Sequence, residues 1–192
     1  MPIHNWKKEI WTIPNLLSLF RLILIPVYIS IYLNASQPHH YLIAASILAV
    51  SCLTDMVDGK IARKFHMIST LGKFLDPLAD KATQLALILC LAVHHPALWA
   101  LLALFIVKEG FQLIAMILSL RKGLALDGAL MSGKISTTVL FVALTLMVLL
   151  PDLSPVAANL MSAACFVAMV IAFIDYIRAY YGKNKKIYDL DR

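Results

Sequence analysis

Six long stretches of the chain are apolar almost without interruption: Pro14–Leu33, Tyr41–Asp58, Phe74–Val93, Ala97–Leu120, Ser132–Leu150 and Pro155–Tyr181. A helix crossing a bilayer needs about 20 mostly apolar residues, whereas a barrel strand needs about ten with alternating polarity. These runs are long and continuous, so the pattern predicts six transmembrane helices. The segment 1–12 mixes Trp6 and Trp11 with Lys7 and Lys8, which predicts a short N-terminal helix lying in the membrane interface. No repeat, linker or low-complexity segment interrupts the pattern. The expectation is an all-α integral membrane protein with one domain over residues 1–192.

Composition agrees. Hydrophobic residues make up 61% of the 192 positions and charged residues 15%, against about 25% charged in a soluble domain. This excludes a soluble globular domain, a disordered chain and a disulfide scaffold. Cys52, Cys90 and Cys165 sit inside apolar runs with no metal-ligand spacing, as small core residues do. The first run lacks a small-residue cleavage site after it and is read as a retained span.

The net charge of +6 reads as topology and not as nucleic-acid binding. The connections Asn34–His40, His94–Pro96 and Pro151–Ser154 hold no Lys or Arg. The N-terminus, the Gly59–Leu71 and Arg121–Met131 loops and the C-terminal tail hold most of the 17. The positive-inside rule then places both termini and these loops in the cytoplasm. His39, His40, His94 and His95 fall on the outer face, as interfacial residues. The tail, Lys183–Arg192, reads as a mobile mixed-charge end.

Acidic residues are scarce, so their positions matter. Asp55 and Asp58 close the second run, and Asp76 and Asp80 open the third. Spacings of three and four put each pair on one helix face. Pro77 leaves the second pair intact if it lies in the first helical turn. Four neighbouring carboxylates repel one another unless cations intervene. An oxygen-only set favours Mg²⁺, Mn²⁺ or Ca²⁺, and two such ions about 4 Å apart suit displacement at phosphorus. The alternative is a set of solvated helix-end acids paired with Lys60, Arg63, Lys73 and Lys81. Gly59 permits close approach to backbone, and Arg63 can fork onto a phosphate.

These residues form the pattern D-x₂-D-G-x₂-A-R-x₈-G-x₃-D-x₃-D, running from Asp55 to Asp80 with every fixed position and gap satisfied. The chain thereby resembles the CDP-alcohol phosphotransferase family, and the six-span layout extends the resemblance over most of its length. Its span-1 run, from Ile13 to Pro26, is similar to the opening of bacterial phosphatidylglycerophosphate synthases. The resemblance implies a homodimer with two divalent metals, Mg²⁺ or Mn²⁺, per active site on the cytoplasmic face of a bacterial cell membrane. It implies transfer of a phosphatidyl group from CDP-diacylglycerol to an alcohol, with release of CMP. By position, Asp55, Asp58, Asp76 and Asp80 look like metal ligands, and Asp80 also looks like the general base. Gly59, Arg63 and Ser69 resemble donor-binding positions. Asn15 and Ser18 resemble a polar strip near the donor head group, or else a Pro-Asn helix start with Ser18 facing a neighbour. Direct displacement, without a covalent intermediate, is the expected route.

The acceptor is read from the remaining cations. Lys108 lies near the middle of the fourth run beside Glu109. Adjacent helix positions point about 100° apart, so these two are not expected to pair. A phosphate on the acceptor is the expected partner of Lys108, with Lys134 completing the clamp. Arg121 and Lys122 steer the anion or merely obey the positive-inside rule. Asp175 with Tyr176 and Arg178 lines the acceptor route or pairs with nearby cations. The chain departs from the synthase pattern in having Lys108, Met116 and Ser136 where further Arg, Arg and Lys are usual. Glycerol 3-phosphate is the leading acceptor. Phosphatidylglycerol, as in a cardiolipin synthase, and an inositol phosphate stay open, while Pro77 argues against serine. From other classes, a small divalent-cation transporter would also explain membrane-edge acids, but predicts acids along a path and inverted repeats. A purely structural membrane protein leaves Gly59, Arg63 and Gly72 unexplained.

Overall fold

Six helices follow one another in the computed structural model, which describes residues 12–64, 72–121, 124–126, 130–181 and 187–189. Side chains are described there except at 13–14, 55–64, 72–74, 119–121, 124–126, 181 and 187–189. The helices are α1 (Ile13–Leu33), α2 (Pro38–Lys64), α3 (Gly72–Ala92), α4 (Leu98–Arg121), α5 (Met131–Leu149) and α6 (Pro155–Tyr181). Each contains most of one apolar run of the sequence, and α2 runs on past its own to Lys64. The expected interfacial helix at 1–12 lies, but for Thr12, outside the described residues.

Among the described residues four helices are long and apolar enough to cross a membrane: Asn15–Leu33, Leu98–Leu118, Met131–Leu149 and Pro155–Tyr180. The apolar part of α2 is shorter, Pro38–Thr54. The reason is chemical. The last ten residues of α2 carry Asp55, Asp58, Lys60, Arg63 and Lys64, and the first half of α3 carries Lys73, Asp76, Asp80 and Lys81. Along the apolar helices large hydrophobic side chains stay exposed, among them Ile23 on α1, Val107 and Ile114 on α4, and Leu160 on α6. In water such a surface would drive association, whereas lipid solvates it.

Local signals set the helix ends. Thr12 is extended at the N-cap of α1, and Pro14 follows within the first turn, where its missing N–H costs nothing. At the other end Asn34 closes the helix, its side-chain amide donating to the Ser30 carbonyl at 2.7 Å. Pro77 differs from expectation. Helix α3 starts at Gly72 and Pro77 lies inside it, beyond the first turn. Its ring nitrogen therefore cannot donate to the Lys73 carbonyl, but helical backbone continues through it and keeps Asp76 and Asp80 in register.

The chain divides into two compact units, Met1–Cys90 with Val148–Pro151, and Leu91–Met147 with Asp152–Arg192. In the first, α1 packs along α2, and Tyr28, Tyr32, Ala44, Leu48, Leu87 and Ile88 are buried. The Tyr32 ring lies tilted against Tyr28 and meets Tyr41 edge-on. A small cavity lies among Arg21, Leu24, Ile25 and Tyr28 of α1, Ile47, Leu48 and Ser51 of α2, and Thr83 and Ala86 of α3, so all three helices converge there.

In the second unit α4 packs on α6, with Phe111 set edge-on against Phe173 and Tyr180. Two three-residue strands, β1 (Leu124–Leu126) and β2 (Ile187–Asp189), pair antiparallel with Ala125 opposite Tyr188. This corrects the reading of the tail as a wholly mobile end: three of its residues gain backbone partners from the α4–α5 loop.

Candidate active site

Two of the four motif carboxylates are described, and α1 holds both. Asp76 and Asp80 lie one turn apart on α3. The Ser18 hydroxyl donates to Asp76 Oδ1. Arg21, one turn further along α1, donates through Nη1 to Asp80 Oδ1 at 2.6 Å, with Nη2 3.8 Å from Asp76 Oδ1. Spacings of three on α1 and four on α3 let two polar rows meet side by side.

The electrostatics of this contact are asymmetric. The Arg21 side chain is 3% exposed, while those of Asp76 and Asp80 are 41% and 46% exposed. A guanidinium in that setting needs a counter-charge, because an unpaired buried ion costs several kcal/mol. The carboxylates supply it and still present surface outward. Arg21 offsets one of two negative charges, so the described trio remains anionic and suited to a cation. Asn15, one turn before Ser18, is 1% exposed, which places the polar strip of α1 inside the unit and not facing lipid.

Helical backbone runs through Asp55, Asp58, Gly59 and Arg63 at the end of α2, but their side chains lie outside the described residues, as does Ser69 altogether. Among the described residues no three His, Cys, Asp or Glu side chains gather at one point. His39 and His40 have their rings 4.2 Å apart. Burial and the neighbouring His94 push His95 below the ordinary imidazole value.

Lys108 and Lys134 belong to the second unit. Lys134 is exposed, with its carbonyl accepting from the Thr138 hydroxyl. Lys108 is 2% exposed, and here the structure overturns an expectation. Its Nζ lies 2.7 Å from Glu109 Oε1 and 3.2 Å from Gln112 Oε1. The 100° between adjacent positions describes the Cα–Cβ directions only. A four-carbon stem reaches round the helix, and in a low-dielectric interior the nearest carboxylate is a strong attractor.

The residue that sequence reasoning passed over is Arg21. It is the only charged residue between Pro14 and Leu33, and a charge inside an apolar span is a functional signal by default. That signal was available without the structure.

Comparison with known proteins points to one family. The model of the CDP-alcohol phosphatidyltransferase family matches residues 11–176. The probable phosphatidylglycerophosphate synthase of Mycobacterium tuberculosis H37Rv is 32% identical, covering 89% of this chain and 82% of the relative. The CDP-diacylglycerol–glycerol-3-phosphate 3-phosphatidyltransferase of Escherichia coli K12 is 33% identical, covering 88% and 94%. A cardiolipin synthase (CMP-forming)/mitochondrial hydrolase fusion protein of Schizosaccharomyces pombe is 38% identical over 103 residues, 54% of this chain and 17% of that protein.

Proposed function

Because the chain belongs to the CDP-alcohol phosphatidyltransferase family, we propose that it moves the phosphatidyl group of CDP-diacylglycerol to glycerol 3-phosphate, giving phosphatidylglycerophosphate and CMP. The observation that carries this reading is the Asp76–Asp80 pair, fixed from α1 by Ser18 and Arg21, within a chain that matches synthases of that name nearly end to end. Family membership also favours group transfer over the cation-transporter alternative. The cardiolipin-synthase relative shares only about half of the chain, which ranks phosphatidylglycerol second as acceptor.

The donor set fits divalent metals. Asp76 and Asp80 offer hard oxygen ligands on one face and retain net negative charge beside Arg21, and Asp55 and Asp58 complete the set by sequence. These four would hold two ions, Mg²⁺ or Mn²⁺. When bound, such ions neutralise the donor's diphosphate and make a nearby hydroxyl more acidic.

The chain's own residues do the rest. Gly59 admits the donor close to backbone, and Arg63 pairs with its phosphate. Ser69, Asn15 and Ser18 flank the donor. Asp80 takes the proton of the acceptor hydroxyl as that oxygen bonds to the phosphorus carrying diacylglycerol. The bond from that phosphorus to the CMP oxygen breaks, and CMP leaves with the electron pair. Arg21 holds Asp80 at a fixed angle throughout. Lys108 and Lys134 bind the acceptor's phosphate. All six helices cross a bacterial cytoplasmic membrane, with α2 and α3 bringing their charged ends to the cytoplasmic surface, and the protein works as a homodimer.

The test is CMP release by purified protein offered glycerol 3-phosphate, phosphatidylglycerol, serine, inositol and inositol phosphate separately. Release with glycerol 3-phosphate alone supports the reading. Release only with another acceptor assigns the pocket to that alcohol.

A further inference from the structure

Glycine at position 133 leaves a notch in the first turn of α5. A Cβ built there would lie 2.8 Å from Tyr176 Oη, 2.9 Å from its Cε2 and 3.3 Å from its Cζ. Close-packed interiors do not tolerate such approaches, so the seat of the Tyr176 ring exists only because residue 133 has no side chain. Tyr176 comes from α6 and is 9% exposed, packed with Ala115 and Tyr180 and flanked by Phe111 and Leu130. On α4, Lys108 Nζ lies 5.9 Å from the centroid of that ring. Glu109 and Gln112 grip the same ammonium from its own helix.

We propose that Tyr176, seated by Gly133, is a positioning residue for Lys108. The assignment rests on the reading of Lys108 as an acceptor-phosphate contact. A lysine stem has several rotatable bonds and can hold its ammonium in many places. Glu109 and Gln112 sit on the lysine's own helix and draw the ammonium along it. An aromatic face attracts a desolvated cation from a different helix and so sets how far Nζ stands off α4. Tyr176 touches no reacting atom in this arrangement and acts through Lys108. Gly133 acts through Tyr176, which gives the glycine a reason beyond helix packing.

The experiment compares Tyr176→Leu, Tyr176→Phe, Gly133→Ala and Lys108→Met in one detergent, each checked for monodisperse elution and unaltered melting. Turnover is measured against glycerol 3-phosphate and CDP-diacylglycerol in turn. Tyr176→Leu is expected to raise the acceptor KM about tenfold, with kcat within about threefold and the donor KM unchanged. Tyr176→Phe keeps the ring and stays within about twofold of the parent. Gly133→Ala displaces the ring and shifts the acceptor KM the same way, which keeps the test open if the leucine variant fails to fold. A purely structural role would move both KM values and kcat together. An unchanged acceptor KM in Tyr176→Leu or Gly133→Ala, with a raised one in Lys108→Met, overturns the proposal alone. An unchanged acceptor KM in Lys108→Met overturns the acceptor-site reading and this proposal with it.

Discussion

Arg21 Nη1 on α1 lies 2.6 Å from Asp80 Oδ1 on α3, across 59 positions of sequence. The guanidinium is buried and the carboxylate half-exposed, so the arginine is fixed and the acid is held by it. Removing one partner of a fully buried pair costs about 3–5 kcal/mol. The exposure of Asp80 lowers that to about 2 kcal/mol. Arg21→Gln is therefore expected to lower the melting temperature and to cut kcat/KM by about a hundredfold. Arg21→Lys keeps the charge without the fork and falls between. Thermal melts and steady-state rates on the same preparations check both.

Asp80→Asn separates chemistry from folding. The amide still accepts from Arg21 but cannot take a proton. General-base loss is worth about 10²–10⁴ in rate. The variant is expected to insert and elute like the parent and to release CMP about a thousandfold more slowly. Near-parental turnover would remove Asp80 from the base role.

Ser18 tests whether α1 shapes the acidic pair. Its hydroxyl donates to Asp76, and a hydrogen bond to a charged group is worth about 1.5–3 kcal/mol. Ser18→Ala is expected to lower kcat/KM about tenfold and to raise the concentration of Mg²⁺ needed for half-maximal activity. Metal titration of the two proteins reads this directly.

Topology is open to labelling. In a background with Cys52, Cys90 and Cys165 replaced by alanine, Gln37→Cys and Asp152→Cys are expected to react with an impermeant thiol reagent from outside. Lys122→Cys is expected to react only when the cytoplasmic face is opened. Reaction of Gln37→Cys and Lys122→Cys from the same side would contradict six crossings.

Much of the fold was legible because apolar run length reports directly on helices in lipid. Predicted and observed helices share their ends within a few residues for α1, α3, α4, α5 and α6. Helix α2 is the exception: hydropathy stops at Asp58, while helical backbone continues to Lys64, since backbone hydrogen bonding does not require apolar side chains. The motif spacing placed Asp76 and Asp80 on one face. The Lys108–Glu109 contact is not legible from Cβ direction, because a long flexible side chain reaches round the helix. The packing of Tyr176 against Gly133 joins positions 43 apart in sequence, and no local pattern encodes such a meeting.

The most direct measurement follows labelled glycerol 3-phosphate into lipid. Purified protein receives CDP-diacylglycerol and Mg²⁺ or Mn²⁺, and organic-soluble label is counted against CMP released. Labelled phosphatidylglycerophosphate is expected in equal amount to CMP, and neither product after chelation of the metal. CMP release with phosphatidylglycerol, while the label of glycerol 3-phosphate stays in the aqueous phase, would contradict the assignment of glycerol 3-phosphate as acceptor.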